Sequence, residues 1–414
     1  PQRPSWAWPR SLSGWGRAPG NSPLRPDPMM AADQLAAVWL DPPHNRSAFQ
    51  RVDTFLKTVP IARGNARTRE FRVSPMDIES VAVNASGAAS TIGEFLARSH
   101  TDGFLVVRGS ELLFERYYNG MTPATRHILM SVSKPMAGLT AGSGVDAGWL
   151  DLEARVADVV PGLAASGYAD ATVQQVLNMG VRVAFDQNYD DPASELQRED
   201  RSAGWRPALP GDPPGSKAFL SGLAKAGPPG GRFQYCSAPT DAVAWILEQR
   251  SGLSYPELVS RSLWSRIGAA HDAYVTVDST GFPFACAGIC AALSDVARVG
   301  RLVLDGGTWD GQTVVSTDWI AATRNGPGSF VRTAVEPDEV NLVYPDAIYH
   351  NHWWTTRDGR GTIFGIGIFG QFLWLDPTSD VVIVKFSSWP AAFDQQMVGD
   401  HLRALGALAE ALSA

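Results

Sequence analysis

The chain has 414 residues, a formal net charge of −7 and 44% hydrophobic residues, a composition typical of a globular protein. The acidic balance argues against a nucleic-acid-binding protein, which uses a basic surplus to neutralise phosphates. No apolar stretch is long enough to cross a bilayer, and three cysteines are too few for a disulfide framework, so we expect a cytoplasmic protein.

The first 30 residues are rich in Pro, Gly, Arg and Trp and contain no continuous apolar run, so they do not predict a secretory signal. We expect residues 1–30 to form an extended arm and residues 31–414 to form a single domain. The first clear element is a β-hairpin within residues 102–120, where two β-rich runs flank the sequence Arg-Gly-Ser-Glu. Cys-x-x-Cys and His-Glu-x-x-His motifs are absent from the sequence, which therefore predicts no zinc site.

The segment Leu-Met-Ser-Val-Ser-Lys-Pro, residues 129–135, begins a predicted helix and carries a Ser-x-x-Lys motif. Residues three apart on a helix face the same way, so Ser131 and Lys134 can touch. A serine hydroxyl is a weak nucleophile that needs an adjacent base, and Lys134 could be that base or could hold a second group ionised. Pro135 suits the first turn of a helix, where N–H groups lack intrahelical acceptors. The motif has only two fixed positions, so an ordinary helix start remains an alternative here.

The middle of the chain is predicted to be mostly helical. Short helices are expected within residues 152–163 and 172–180, where Pro and Gly end the apolar patterns. Residues 184–232 are dense in Asp, Pro, Gly and Arg and predict a long loop, which inside a folded domain is often functional. A further amphipathic helix is predicted over residues 293–307.

A turn rich in Pro and Gly brings Tyr235 just before a predicted helix that Ser237 could cap and Gly252 could end. Next to Lys134, the phenol of Tyr235 could ionise, accept a proton and later pass it to a leaving amine. A core tyrosine ahead of a helix has the same sequence pattern, and Ser237 is equally a helix cap or a site residue.

Two β-rich runs within residues 361–389 precede a predicted final helix over residues 400–413. Glycine alternates with isoleucine at positions 365–368, and glycine in a strand often marks the close approach of another chain or a ligand. An edge strand here could offer the N–H of Ile368 to an oxyanion, together with the N–H of Ser131 at the helix start.

The order of the predicted elements is strands, then a long helical region, then strands again. This order predicts an α+β fold in which the terminal strands form one mostly antiparallel sheet flanked by helices. We expect an α/β lobe over about residues 31–130 and 285–414, a largely helical lobe over about 131–284, and an active site in the cleft between them.

The Ser-x-x-Lys motif, the Gln-Tyr-Cys-Ser-Ala turn and the Gly-Ile-Gly-Ile strand, in this order, resemble the serine β-lactamase and penicillin-binding-protein superfamily in its class C and carboxylesterase branch. Within that branch, the chain is similar to the nylon-oligomer hydrolases over about residues 37–395, most specifically in the stretches Asp-Pro-Ala-Ser-Glu and Asp-Arg-Ser-Ala-Gly-Trp. The resemblance implies a β-lactamase/transpeptidase-like fold. It also implies a serine amidohydrolase that cleaves linear amides of 6-aminohexanoate oligomers and short acyl esters, without a metal or organic cofactor.

The resemblance also implies roles for individual residues. Ser131 would be the nucleophile that forms the acyl-enzyme, Lys134 its base or electrostatic partner, and Tyr235 the proton shuttle. The N–H groups of Ser131 and Ile368 would form the oxyanion hole.

Five further positions match substrate-binding residues of that family. Tyr189 would bond the amide N–H of the substrate, and Asp200 would bind the ammonium end of an amino-acyl chain. Trp354 would form a mobile aromatic wall. Ser237 and Cys286 would complete the substrate-binding set.

Other interpretations of these residues remain open. Asp200 is equally a loop acid paired to Arg198 or Arg201, and Trp354 is equally a core aromatic. Gly365 stands where the related β-lactamases carry a lysine that binds the substrate carboxylate, which weakens a β-lactamase or transpeptidase function. The remaining departures from the family pattern concern substrate preference and are Cys286, Phe369, Gln187 and Pro239.

Two other functions are compatible with the sequence. The first is a carboxylesterase for which amides are incidental substrates, and the second is a non-catalytic ligand-binding relative. The expected partner is a small-molecule amide or ester, with no nucleic acid and no membrane, and with a homodimer as a possible assembly.

Overall fold

A computed structural model describes residues 30–85, 88–230, 233–326 and 339–413 of the chain. The expected N-terminal arm, apart from Met30, lies outside the described residues. In the described part, no helix combines the length and apolar character that crossing a membrane requires.

The helices of the described residues are α1 (Ala32–Val38), α2 (Asn45–Ala48), α3 (Ile92–Arg98), α4 (Lys134–Asp146), α5 (Val156–Val159), α6 (Val173–Leu177), α7 (Glu195–Ser202), α8 (Ser216–Gly222), α9 (Ala238–Ser251), α10 (Tyr255–Ser262), α11 (Leu293–Leu304), α12 (Thr317–Asn325), α13 (Glu339–Val343) and α14 (Gln395–Ala411). The strands are β1 (Thr58–Ile61), β2 (Arg72–Val73), β3 (Ala82–Ala85), β4 (Ala88–Thr91), β5 (Thr101–Arg108), β6 (Glu111–Tyr117), β7 (His127–Ile128), β8 (Ala273–Thr276), β9 (Ile289–Ala291), β10 (Thr308–Trp309), β11 (Gln312–Thr313), β12 (Ile348–His350), β13 (Trp353–Thr355), β14 (Ile363–Gly367), β15 (Gln371–Asp376) and β16 (Val381–Ser387).

The main sheet contains eight strands in the order β12-β13-β14-β15-β16-β5-β6-β2. All neighbours are antiparallel except β2 and β6, and the predicted hairpin is the β5–β6 pair. Phe104 and Val106 of β5 join the core that includes α14, whereas Leu105 and Val107 join the core that includes α11. Because helices cover both faces, the central strands are apolar on both sides. The predicted α+β fold and its antiparallel sheet are confirmed.

A second, smaller sheet of four strands has the order β1-β8-β9-β7. Its strand β7 leads directly into the turn that precedes α4. Helix α4 is buried along most of its length and contacts both α9 and α10. The small sheet and these helices therefore fix the start of α4 from two sides.

The predicted helices are confirmed, with some different boundaries. The final helix begins at Gln395 rather than at residue 400. The expectation of a long loop over residues 184–232 is wrong, because helices α7 and α8 lie within it. Ser194 caps α7 by accepting the N–H of Gln197 at 3.2 Å. The sequence of α7 is so polar that apolar periodicity does not reveal the helix.

Helix α9 follows the predicted pattern, with Ser237 at its N-cap position and Gly252 at its C-terminal end with a φ of 71°. The hydroxyl of Ser237, however, makes no capping hydrogen bond. Ser237 therefore occupies the N-cap position of α9, but its hydroxyl group does not cap the helix and is available for other contacts.

The expectation that the Gly-Ile-Gly-Ile strand is an edge strand is wrong, because β14 lies between β13 and β15. Strand β13 nevertheless pairs only with Ile363 and Phe364, so the rest of β14 faces the turn before α4. A Cβ atom added at Gly365 would lie 3.1 Å from Cγ of Pro135, and one at Gly367 would lie 2.8 Å from the carbonyl O of Leu129. The predicted close approach is confirmed, and the approaching segment is the turn that carries Ser131.

We expect Gly367→Ala to lower the free energy of unfolding by about 1–3 kcal/mol, because the added Cβ overlaps the Leu129 carbonyl and Met130. The control is Gly222→Ala at the end of α8, where no atom beyond the neighbouring residues and the backbone of that helix lies within 4 Å of the added Cβ. That variant should be neutral or stabilising. Denaturant unfolding of both variants tests the difference, and equal free energies would contradict the close packing of β14 on the turn.

Candidate active site

Ser131 lies in a 3-10 turn, Met130–Ser133, between strand β7 and helix α4. The preceding residue, Met130, has a φ of 48°, in the left-handed region that a long side chain rarely adopts. The N–H of Leu129 donates to the carbonyl O of Ile289 at 2.8 Å and ties this turn to strand β9. Such strain persists where the surrounding structure imposes it, and it is typical of functional sites.

Lys134 is the first residue of α4 and is 1% exposed. Its Nζ donates to Oγ of Ser131 at 2.8 Å and to the carbonyl O of Cys286 at 3.1 Å. Burial, the largest single influence, favours the neutral amine, but attraction by Tyr235, Cys286 and nearby carboxyl groups outweighs it and raises the pKa of Lys134. Lys134 is therefore an ammonium group that donates a hydrogen bond to Ser131.

Tyr235 is brought to the same place by the turn before α9. The centroid of its ring lies 5.4 Å from Nζ of Lys134. The ring also stacks on Trp354, with centroids 6.0 Å apart, and meets Tyr349 edge-on at 5.6 Å. Ser131 and Tyr235 line one cavity. The structure therefore brings together Ser131, Lys134 and Tyr235, which are 104 positions apart at most in the sequence numbering.

Ile368 lies just after β14, where the chain turns at Phe369 with a φ of 60°. The N–H of Phe369 donates to the carbonyl O of Ala392 at 2.8 Å and holds this turn in place. Within the described residues, the N–H groups of Ser131 and Ile368 donate to no protein acceptor. Both residues line the same cavity, so their N–H groups are available to an oxyanion.

Two cavities meet at Ser131. The larger, of about 330 Å³, has no charged side chain in its described lining, which consists of Ser131, Gln187, Tyr189, Tyr235, Trp354, Ile366, Gly367, Ile368, Trp389, Ala392, Phe393 and Val398. The smaller, of about 40 Å³, shares Ser131, Tyr189 and Ile368 with the larger one and also contains Asp200, Arg206 and Ser237. An apolar chamber thus adjoins a small charged one, with the serine hydroxyl between them.

Asp200 keeps 13% of its side-chain surface exposed and so reaches the smaller cavity. Its Oδ2 accepts a hydrogen bond from Nε of Arg206 at 3.2 Å. Asp200 is thus paired to an arginine, as the alternative held, but this arginine is Arg206, while Arg201 pairs with Asp212 at 2.7 Å. Burial raises the pKa of Asp200 to about 6, although Arg206 acts in the opposite direction.

Tyr189 lines both cavities. Its hydroxyl accepts a hydrogen bond from Nε2 of Gln187 at 2.9 Å, and its ring stacks on Phe393 with centroids 6.4 Å apart. Phe393 is 41% exposed and belongs to the segment before α14, which no motif in the sequence connects with the site. The only signal in the sequence was an aromatic residue in a polar and Pro/Ala-rich turn after the last strand.

The other three predicted residues differ in their positions. Ser237 lines the smaller cavity. Trp354 is 6% exposed and is both a core aromatic and part of the wall of the larger cavity, while its mobility stays a prediction. Cys286 lines neither cavity: it is fully buried, and its carbonyl group binds Lys134. The expectation of a Cys286 side chain in contact with substrate is therefore not supported by its position.

Three buried acidic groups, those of Glu199, Asp241 and Cys286, interact with Lys134. One carboxylate oxygen each of Glu199 and Asp241 and the Sγ of Cys286 lie within 4.8 Å of one another. Burial raises the pKa of all three, that of Asp241 to about 7. Lys134 is the cation that these groups face, and the predicted absence of a metal stays a prediction.

Comparison with known proteins agrees with this geometry. The chain is 42% identical to the 6-aminohexanoate-dimer hydrolase of Paenarthrobacter ureafaciens over 374 residues, which is 90% of this chain and 93% of that protein. It also resembles the solved structure of a Bacillus anthracis protein whose assignment as a 6-aminohexanoate-dimer hydrolase is provisional. That match has a TM-score of 0.81 and 27% identity, and it covers 91% of this chain and 96% of the other.

A family VIII carboxylesterase shares the fold, with a TM-score of 0.55 and 16% identity over 75% of this chain and 93% of that chain. The family model described as "Beta-lactamase" matches residues 88–407, a range that includes Ser131, Lys134, Tyr235 and Ile368. Because this match spans most of the chain and includes these four residues, the chain belongs to the β-lactamase family.

Proposed function

We propose that the chain is a serine amidohydrolase that cleaves linear amide bonds of 6-aminohexanoate oligomers and also hydrolyses short acyl esters. The observation that carries this proposal is the 2.8 Å hydrogen bond between Lys134 and Ser131 at the junction of an apolar and a charged cavity. The similarity to the Paenarthrobacter ureafaciens enzyme supports the choice of substrate.

The positions of four groups support the following reaction. Oγ of Ser131 attacks the amide carbonyl carbon while its proton passes to Tyr235, whose proton-accepting form the ammonium of Lys134 stabilises by attraction. The N–H groups of Ser131 and Ile368 bind the oxyanion of the tetrahedral intermediate. Tyr235 then returns the proton to the leaving amine as the C–N bond breaks. Water attacks the acyl-enzyme by the same route and releases the acid and Ser131.

The two cavities fit two parts of a 6-aminohexanoate dimer, one on each side of the amide bond that is cleaved. The pentamethylene segment on the leaving-amine side is apolar and suits a lining of aromatic and aliphatic side chains. The ammonium end suits the carboxylate of Asp200 in the charged cavity. Tyr189 borders both cavities and is placed to contact the amide group between these two parts.

A second function, that of a carboxylesterase, is favoured by one observation. The lining of the larger cavity carries no charge among its described residues, so an uncharged acyl ester can enter it without desolvating an ion. The ratio of kcat/KM for 6-aminohexanoate dimer and for a butyrate ester separates the two functions.

The cytoplasmic location and the homodimer stay predictions.

Ser131→Ala should lower the hydrolysis of both the dimer amide and the butyrate ester by at least about a thousandfold, because the variant cannot form an acyl-enzyme. Ser143→Ala, on the same helix α4 but outside both cavities, is the control and should retain activity. Labelling by a fluorophosphonate probe should occur at Ser131 in the parent chain. A Ser131→Ala variant with parent activity, or an unlabelled parent, would overturn the proposal and favour a non-catalytic ligand-binding protein.

Asp200→Asn should lower kcat/KM for the dimer by about tenfold to a hundredfold and affect the butyrate ester much less, because only the dimer presents an ammonium group. Asp212→Asn is the matched control, since it removes an Asp–Arg pair that lies outside both cavities. Steady-state kinetics on both substrates measure the effect. Equal losses for amide and ester would contradict an ammonium site at Asp200.

The KM of the dimer should depend on pH through the ionisation of Asp200, whose pKa burial raises to about 6. The carboxylate is protonated below this value and cannot bind an ammonium, so KM should rise roughly tenfold between pH 7 and pH 5. The KM of the butyrate ester should stay constant over the same range, and Asp200→Asn should remove the pH dependence for the dimer. Parallel changes for both substrates would assign the titration to another group.

A further inference from the structure

A continuous series of hydrogen bonds leads from the core of the helical region to the nucleophile. Oδ1 of Asp241 accepts the N–H of Cys286 at 2.9 Å. The carbonyl O of Cys286 accepts from Nζ of Lys134 at 3.1 Å, and Nζ donates to Oγ of Ser131 at 2.8 Å. The side chain of Asp241 thus binds the N–H of Cys286, and the carbonyl group of the same residue binds the ammonium that donates to Ser131.

Asp241 is fully buried in the first turn of α9, the helix that also follows Tyr235. The position of this carboxyl group is therefore tied to the turn that carries Tyr235. Its second oxygen, Oδ2, has no hydrogen-bond partner among the described residues. A carboxyl group without a full set of partners is costly to bury, so it requires compensation by a nearby cation. Lys134 is that cation.

Glu199 of α7 does not share this role. It is 1% exposed, and neither of its carboxylate oxygens has a partner in the described part of the chain. Asp241, in contrast, accepts the N–H of Cys286. Two carboxyl groups this close in a dry site do not both ionise, and the one with a hydrogen-bond donor carries the charge more readily. Of these two carboxyl groups, Asp241 is therefore the one that carries the negative charge more readily.

We propose that Asp241 is a positioning residue for the Ser131–Lys134 pair, orienting the Cys286 carbonyl towards Lys134 and keeping Lys134 an ammonium by its charge. This role rests on the proposed serine hydrolase function. Asp241 lines neither cavity, so it acts on the reaction through Cys286 and Lys134 and not by contact with substrate. Its influence should be seen in kcat and not in KM.

The pH profile of kcat should depend on the charge of Asp241, through the deprotonation of Lys134. The ionisable groups that face Lys134 from the surrounding elements are Tyr235, Glu199, Asp241, Cys236, Cys286 and His352. Attraction by Asp241 opposes deprotonation of Lys134. Removing that charge makes the ammonium easier to deprotonate, so the basic limb of the kcat profile should move to lower pH.

The test uses Asp241→Asn and Asp241→Ala in the full chain, with Thr240→Val as the control. Asparagine keeps an oxygen that can accept the N–H of Cys286 but carries no charge, whereas alanine keeps neither. Thr240 is equally buried in the same turn, and its hydroxyl has no partner among the described residues. Its replacement thus reproduces the loss of a buried polar group without touching the series of hydrogen bonds.

We expect Asp241→Ala to lower kcat for the butyrate ester by about a hundredfold with KM little changed, the size of effect that misplaced catalytic groups produce. Asp241→Asn should recover much of that loss and shift the basic limb of the profile to lower pH. Thr240→Val should leave both kcat and the limb in place. If the alanine variant does not fold, the pH of the basic limb in the kcat profile of Asp241→Asn tests the positioning role.

The outcomes separate the two proposals. An unmodified Ser131 after treatment of the parent chain with a fluorophosphonate probe would remove the serine hydrolase function, and the positioning role with it. A labelled parent together with parent kcat and an unshifted limb in Asp241→Asn would remove the positioning role alone. Equal effects of Asp241→Asn and Thr240→Val would likewise reduce Asp241 to a packing residue.

Discussion

The burial of one ammonium group constrains the whole site. Lys134 has lost nearly all of its contact with solvent, and an isolated buried cation costs on the order of several kcal/mol even after its surroundings relax. The structure compensates with a hydroxyl, a carbonyl and a cluster of acidic side chains that come from separate parts of the chain. The elements that carry them must dock before Lys134 is satisfied. The arrangement that stabilises the cation is therefore also the arrangement that assembles the catalytic groups.

The main sheet takes part in this assembly through its backbone more than through its side chains. Gly365 and Gly367 allow the turn before α4 to lie directly against β14, at the point where β13 no longer covers that strand. The turn itself depends on the left-handed Met130. Close contact between these two backbones brings the N–H of Ile368 and the N–H of Ser131 to one cavity. An oxyanion hole formed in this way uses backbone N–H groups alone. It requires only that positions 365 and 367 lack a Cβ atom.

The parts of the site that were predictable from the sequence depend on local spacing. Ser131 and Lys134 are three residues apart at a helix start, and the alternation of Gly365 to Ile368 indicates a close approach wherever the strand lies. Contacts between distant segments were not predictable in the same way. One alternative paired Asp200 with Arg198 or Arg201, which are near it in sequence, but α7 ends at Ser202 and the chain brings Arg206 back to Asp200. The role of the Cys286 carbonyl is likewise invisible to any argument from side-chain type, because every residue has a carbonyl group.

The Asp200–Arg206 pair also changes the expected basis of specificity. A carboxylate without a partner would penalise every substrate that lacks an ammonium group, since such a substrate would leave a buried charge uncompensated. Arg206 already compensates Asp200 in the free protein. A neutral ester therefore leaves the ion pair intact and incurs no such penalty, while an ammonium group adds a second cation to a carboxylate that Arg206 binds through a single hydrogen bond. Under the proposed function, discrimination in this site arises from what the amide substrate gains and not from what the ester loses, so the proposed amidase and esterase activities are compatible at one serine.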